Sequence, residues 1–130
     1  MKTYFIRHTS QLDVNTATLT RLWKHDYIAI HFPFDNTRAS QKSDSTSLDP
    51  NDYSKAAKHT LGRMHRLATE GGYVFAAYRH EAGGKIGFVK PGSKVRLLKG
   101  RWGSRNGQEG REAVLKVIKL AKSRNLSAAE

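Results

Sequence analysis

Gly71-Gly72 constrains this chain more than any other pair of residues, because the hydrophobic pattern changes period across it. Ahead of it, Tyr53, Ala56, Ala57, Leu61, Met64, Leu67 and Ala68 recur at helical spacing. Behind it, Tyr73 to Arg79, Lys85 to Lys90 and Lys94 to Leu98 read as three short strands, separated by Gly83-Gly84 and Pro91-Gly92. Glycine alone reaches positive φ freely, so the pair both stops the helix and turns the chain. A helix feeding a run of Gly-punctuated strands predicts an α+β architecture, with the three strands forming an antiparallel meander.

The rest of the chain fits that frame. Asp49-Pro50-Asn51-Asp52 supplies a capping residue, a proline for the first helical position and an early acid, which predicts a helix from there to about Thr69. Residues 4 to 8 read as a strand. A helix over about 16 to 24 follows, capped by Asn15 or Thr16, with Leu19, Leu22 and Trp23 on one stripe. Tyr27-Ile28-Ala29-Ile30-His31-Phe32 reads as a second strand, stopped by Pro33. Residues 35 to 47 hold almost no apolar side chain and are expected to be a mobile loop. Residues 104 to 110 read as a flexible connection, and the apolar run from Ala113 to Ala121 serves a helix or a strand equally well. Several short strands with Gly between them predict a curved sheet closing toward a small mixed barrel of five to six strands with two flanking helices.

At 130 residues the chain fits one domain, residues 1 to 130. Its 23 Lys and Arg against 11 Asp and Glu give a formal charge of +12, far beyond what solubility requires. Residues 85 to 130 hold twelve of the cations and three of the acids, which is +9 of that excess. Such a pole points to an anionic partner, and nucleic acid, DNA or RNA, suits it best because each neutralised phosphate releases condensed counterions. The cations on the long helix, Lys55, Lys58, His59, Arg63 and Arg66, read either as a solvated face or as a phosphate rail. No apolar run approaches the roughly 18 residues of a membrane span, and the N-terminus lacks a secretory pattern, so a cytoplasmic location without membrane contact is expected.

The sequence offers little catalytic chemistry. With no cysteine, disulfides and thiolate zinc sites are excluded. Of the six histidines, His59 and His65 diverge by about 120° around an ideal helix. His8 and His31 end the two N-terminal strands and are the one pair placed to meet, though a metal site there is not expected. Carboxylates do not cluster as a Mg²⁺-dependent nuclease requires, and no phosphate-binding Gly-rich loop or nucleophile elbow occurs. A non-enzyme without cofactor is therefore expected. The aromatic residues are more informative: Phe32 and Phe34 flank Pro33 at a strand end, and Tyr73, Tyr78, Phe88 and Trp102 lie on or beside the meander, among cations, as a base-stacking surface would require. Phe32 serves a core-facing strand equally well.

Five strings in order carry a resemblance: Tyr4-Phe5-Ile6-Arg7-His8; the helix ending Leu22-Trp23; Tyr27 to Phe32; Gly71-Gly72-Tyr73-Val74-Phe75; and Lys85-Ile86-Gly87-Phe88-Val89. Over residues 3 to 102 the chain resembles the PUA-like superfamily, and within it the EVE-type modules at the N-termini of restriction enzymes and anti-phage defence proteins. The resemblance implies a small β-barrel with flanking helices, a pocket for a flipped or modified base, and a fused or associated nuclease as partner. It implies a pocket lined by Arg7, His8, His31, Phe32 and Phe34, with Tyr78 and Arg79 nearby. It also tips Ala113 to Ala121 toward a strand, with Val114, Ile118 and Leu120 on one face. The chain departs from the pattern at His31-Phe32, where EVE-type members often have Gly-Trp. It also stops short of a further strand those modules carry, which implies C-terminal truncation.

These readings converge on a non-catalytic module that reads one extruded base. Lys85, Lys90, Lys94, Arg96, Lys99 and Arg101 are expected to hold phosphates, with Trp102 beside them. The competing readings are a basic protein-interaction or inhibitor module, and a small nuclease using His8 and His31.

Overall fold

The computed structural model describes residues 2–8, 12–31, 46–79, 84–104 and 109–126. Phe32, Phe34, His80 and residues 35 to 45 of the expected loop lie outside them. The elements run β1 (Thr3–His8), α1 (Thr16–Lys24), β2 (Tyr27–Ile30), a 3₁₀ turn (Pro50–Asp52), α2 (Lys55–Glu70), β3 (Gly72–Tyr78), β4 (Gly84–Val89), β5 (Arg96–Arg101), β6 (Glu112–Lys119) and β7 (Ala121–Leu126). The α+β class expected from the pattern is present, with two α-helices and seven strands among the described residues.

The strands form two sheets rather than one barrel. One has the order β1-β3-β4-β7 and the other β2-β6-β5. β1 runs parallel to β3, pairing Phe5 with Phe75, and β3 pairs antiparallel with β4. The expected three-strand meander ends there. After β4 the chain turns at Pro91-Gly92 and crosses to the second sheet, so β4 pairs with β7 and β5 with β6. Closing the two sheets into a barrel would need ladders at both ends, one of them between the neighbouring edges of β1 and β2. Instead, side chains of the first sheet satisfy β2's free edge: His8 Nε2 accepts from the Ala29 N–H at 3.0 Å, and the Tyr78 hydroxyl donates to the Tyr27 carbonyl at 2.7 Å. Two rings stand where that ladder would lie, and the edge is still protected.

Local chemistry explains the elements. Asn15 caps α1, its side chain accepting from the Thr18 N–H at 2.9 Å. Asp49 and Pro50 start a 3₁₀ turn, not the long helix. Tyr53 is extended and buried, its hydroxyl donating to the Ser47 carbonyl at 2.7 Å, so the chain leaves helical geometry there and restarts after Ser54. Gly71 ends α2 at φ 76°, and a Cβ there would stand 2.7 Å from Pro91 and from the Val89 carbonyl oxygen, so both backbone conformation and close approach demand glycine.

β6 resolves the ambiguous segment as a strand. It lies between β2 and β5, and Ala113 to Ile118 are buried without interruption. A strand covered on both faces loses its period of two, which is why the pattern alone left it open. Lys116 sits inside this run, fully buried, with its Nζ 5.6 Å from the Tyr53 ring centroid.

Candidate nucleic-acid interface

The residues expected to line a base pocket are divided between core and surface. His8, His31, Tyr78 and Trp102 are buried. Because His8 Nε2 accepts the Ala29 N–H, the ring's proton is on Nδ1, which donates to the Ala77 carbonyl at 3.0 Å. The ring stacks on Tyr78 at 4.3 Å between centroids. Burial lowers the His8 pKa to about 4, against the opposing Ala77 hydrogen bond and with a smaller contribution from Arg79. Burial, then Asp26, pushes the Tyr78 hydroxyl pKa up. His8 and Tyr78 therefore join the two sheets, and neither ring faces solvent.

His31 and Trp102 make a second buried pair, edge to face at 4.7 Å, with His31 Nδ1 3.0 Å from the Leu12 carbonyl oxygen. Arg79 is exposed over much of its length, yet its guanidinium donates to the Val14 carbonyl, and desolvation lowers its pKa against the pull of Asp13. Arg7 is exposed on β1.

The expected phosphate contacts divide in the same way. Lys90, Lys94, Arg96, Lys99 and Arg101 are exposed. Lys85 points inward, 4% exposed, and its Nζ meets Asp26 Oδ1 at 2.7 Å and donates to the Trp23 carbonyl. It binds α1 to the first sheet and cannot reach a phosphate. On β5, Arg101 Nη1 donates to the Gly110 carbonyl at 3.3 Å and Lys99 lies 3.9 Å from Glu112, so this strand's cations are partly engaged.

A more coherent arrangement lies on α2. Lys55, Lys58, His59, Arg63 and Arg66 follow one another at i, i+3, i+4, i+8 and i+11, lining a groove with Pro50, Tyr53 and Gly62. All five side chains are exposed, and none is engaged by a carboxylate among the described residues. Gly62, in the middle, leaves open space where a Cβ would stand, so a ligand can approach the helix backbone closely.

Beside this stripe is an apolar cleft of about 220 Å³, where α2 spans the gap between the facing edges of β1 and β2. Tyr4, Phe5, Ile6, Ile28, Ile30, Met64 and Leu67 line it, and Arg63 borders both cleft and groove. The strand strings and the apolar stripe of α2 contain these residues in the sequence, but only the separation of the two sheets places them around a common space. Among the described residues no three His, Asp or Glu side chains lie together as a metal would require, and no helix is long and apolar enough to cross a membrane. In comparisons with known proteins, the chain matches no family model, no characterised protein and no solved structure.

Proposed function

We propose that this domain is a non-catalytic nucleic-acid-binding module, in which the α2 stripe grips phosphates and the adjoining cleft receives one extruded base. The observation that carries the reading is the position of Arg63, which borders both the cationic groove and the apolar cleft. Phosphate contact supplies affinity and orientation without sequence information. Selectivity comes from the cleft, where an extruded base exchanges its lost stacking for contact with Tyr4 and the surrounding aliphatic side chains. The resemblance to EVE-type modules belongs to this reading, with the contact surface moved from the His8 and Tyr78 rings to α2 and the cleft beside it. A role in restriction or defence, with a nuclease as partner, follows from that resemblance.

The test is binding of fluorescent duplexes across a salt series. Affinity should fall log-linearly with salt, by about 0.9 in slope for each phosphate neutralised. Arg63→Ala and Arg66→Ala should each reduce the slope by about one. A duplex with one mismatched, easily extruded base should bind more tightly than its matched counterpart, because extrusion costs a few kcal/mol less. Absence of binding at low salt would end the proposal.

A further inference from the structure

The outer face of the four-stranded sheet carries large aromatic side chains that no other described element covers. Phe5 is 74% exposed and Tyr73 is 53% exposed, with Phe75 and Phe88 partly exposed beside them. The register places them together: Phe5 lies opposite Phe75 and Tyr73 opposite Phe88, with ring centroids 6.0 and 5.6 Å apart. Arg7 follows Phe5 on the same side of β1, and on β7 Arg124 lies opposite Ile86. Strands β1, β3 and β4 contain no Asp, Glu, Asn or Gln. Among the described residues the face is thus an aromatic platform between cations, with no carboxylate on β1, β3, β4 or β7.

We infer that this open sheet face is a second nucleic-acid surface, on which successive bases of a single strand stack on Phe5 and Tyr73 while Arg7 and Arg124 hold its phosphates. The inference rests on the proposed nucleic-acid-binding function and extends it to a strand emerging from a locally opened duplex. Stacking on aromatic side chains is available to every base, and among the described residues the sheet's one amide, Asn125, lies opposite the inward-pointing Lys85, so the platform has no amide or carboxylate to read base edges or a 2′-hydroxyl, and binding is insensitive to sequence and alike for DNA and RNA. Charge argues against a second copy as the occupant. Two chains of +12 repel.

The experiment measures binding of twelve-nucleotide dT and rU strands, and of a matched duplex, to the full chain and its variants. Tyr73→Ala and Phe5→Ala should each weaken both single strands by about tenfold while leaving the salt slope unchanged. Phe5→Trp should restore affinity, and matched-duplex binding through α2 should change less than twofold in Tyr73→Ala. Tyr73 lies outside the cleft that Phe5 borders, so Tyr73→Ala isolates the platform. Unchanged thermal melting establishes that the variants are folded. If both alanine variants bind single strands as the parent does, the platform is refuted while the α2 reading stands. If the parent chain binds no nucleic acid at low salt, both proposals fall. A dimer in sedimentation velocity that Phe5→Ala dissolves would assign the face to a second copy instead.

Discussion

Trp102 and Phe5 are both large aromatic side chains on β-structure, yet Trp102 is 1% exposed and Phe5 is 74% exposed. The contrast extends to the sheets themselves. The three-stranded sheet is covered on both faces along β6, whereas the four-stranded sheet buries Val74, Ala76 and Tyr78 on one face and leaves Phe5 and Tyr73 on the other. Both sheets are built from apolar, β-branched and aromatic strings, so residue type alone does not say which rings form the core. The cations divide in the same way. Lys85 and Lys116 are buried structural groups, while the five basic side chains of the α2 stripe face solvent.

Substitutions at matched residue types sharpen this contrast. Trp102→Ala should have the largest effect, about 3–5 kcal/mol lost in denaturant unfolding, because a cavity replaces a fully packed ring. A loss below about 1 kcal/mol would remove the distinction between the two regions. Acid should act next most strongly, through His8. With its folded pKa at about 4 and an unfolded value near 6.5, the unfolded state binds more protons between those limits. This stabilisation is complete above pH 6.5 and is lost as pH falls toward 4, by about 3 kcal/mol. Urea titrations across that window should show the slope, and His8→Gln, though less stable, should lack its share of it.

Asp26→Asn tests the buried cation. Burial favours the neutral acid, but hydrogen bonds from Lys85 and Ser123 outweigh it and hold the Asp26 pKa below the usual carboxylate value. Removing the charge weakens the partner of a lysine that has little access to water, and should cost about 2 kcal/mol by chemical denaturation. The same change at Glu112, exposed and 3.9 Å from Lys99, should fall within about 0.5 kcal/mol. Phe5→Ala should have the smallest effect on stability, also within about 0.5 kcal/mol, despite removing an entire ring. A large loss at Phe5 would make the open face part of the core and end its reading as a binding surface.

Much of the local structure is legible in the sequence. The cap of α1, which the pattern offers to Asn15 or Thr16 and Asn15 fills, the stop at Gly71-Gly72 and the three strands after it depend on neighbouring residues only, and they lie where the pattern predicts within two or three residues. α2 starts later than the pattern predicts because Asp49-Pro50 is as good a cap for a 3₁₀ turn as for an α-helix, and the buried Tyr53 separates the two. Of the expected interface, Lys85, His8, His31, Tyr78 and Trp102 are internal, since a polar or aromatic residue at a strand end looks the same in sequence whether its partner is a ligand or another strand.

The sequence by itself determined the α+β class, the helix and strand periods and the charge of +12, because propensity, periodicity and composition are local or additive quantities. Only the tertiary structure decided that β4 and β5 part into different sheets, that His8 and Tyr78 fill the place of a closing ladder, and that Arg63 borders both a cationic groove and an apolar cleft. Each of these depends on contacts between residues far apart in the chain, whose geometry no single window of sequence contains.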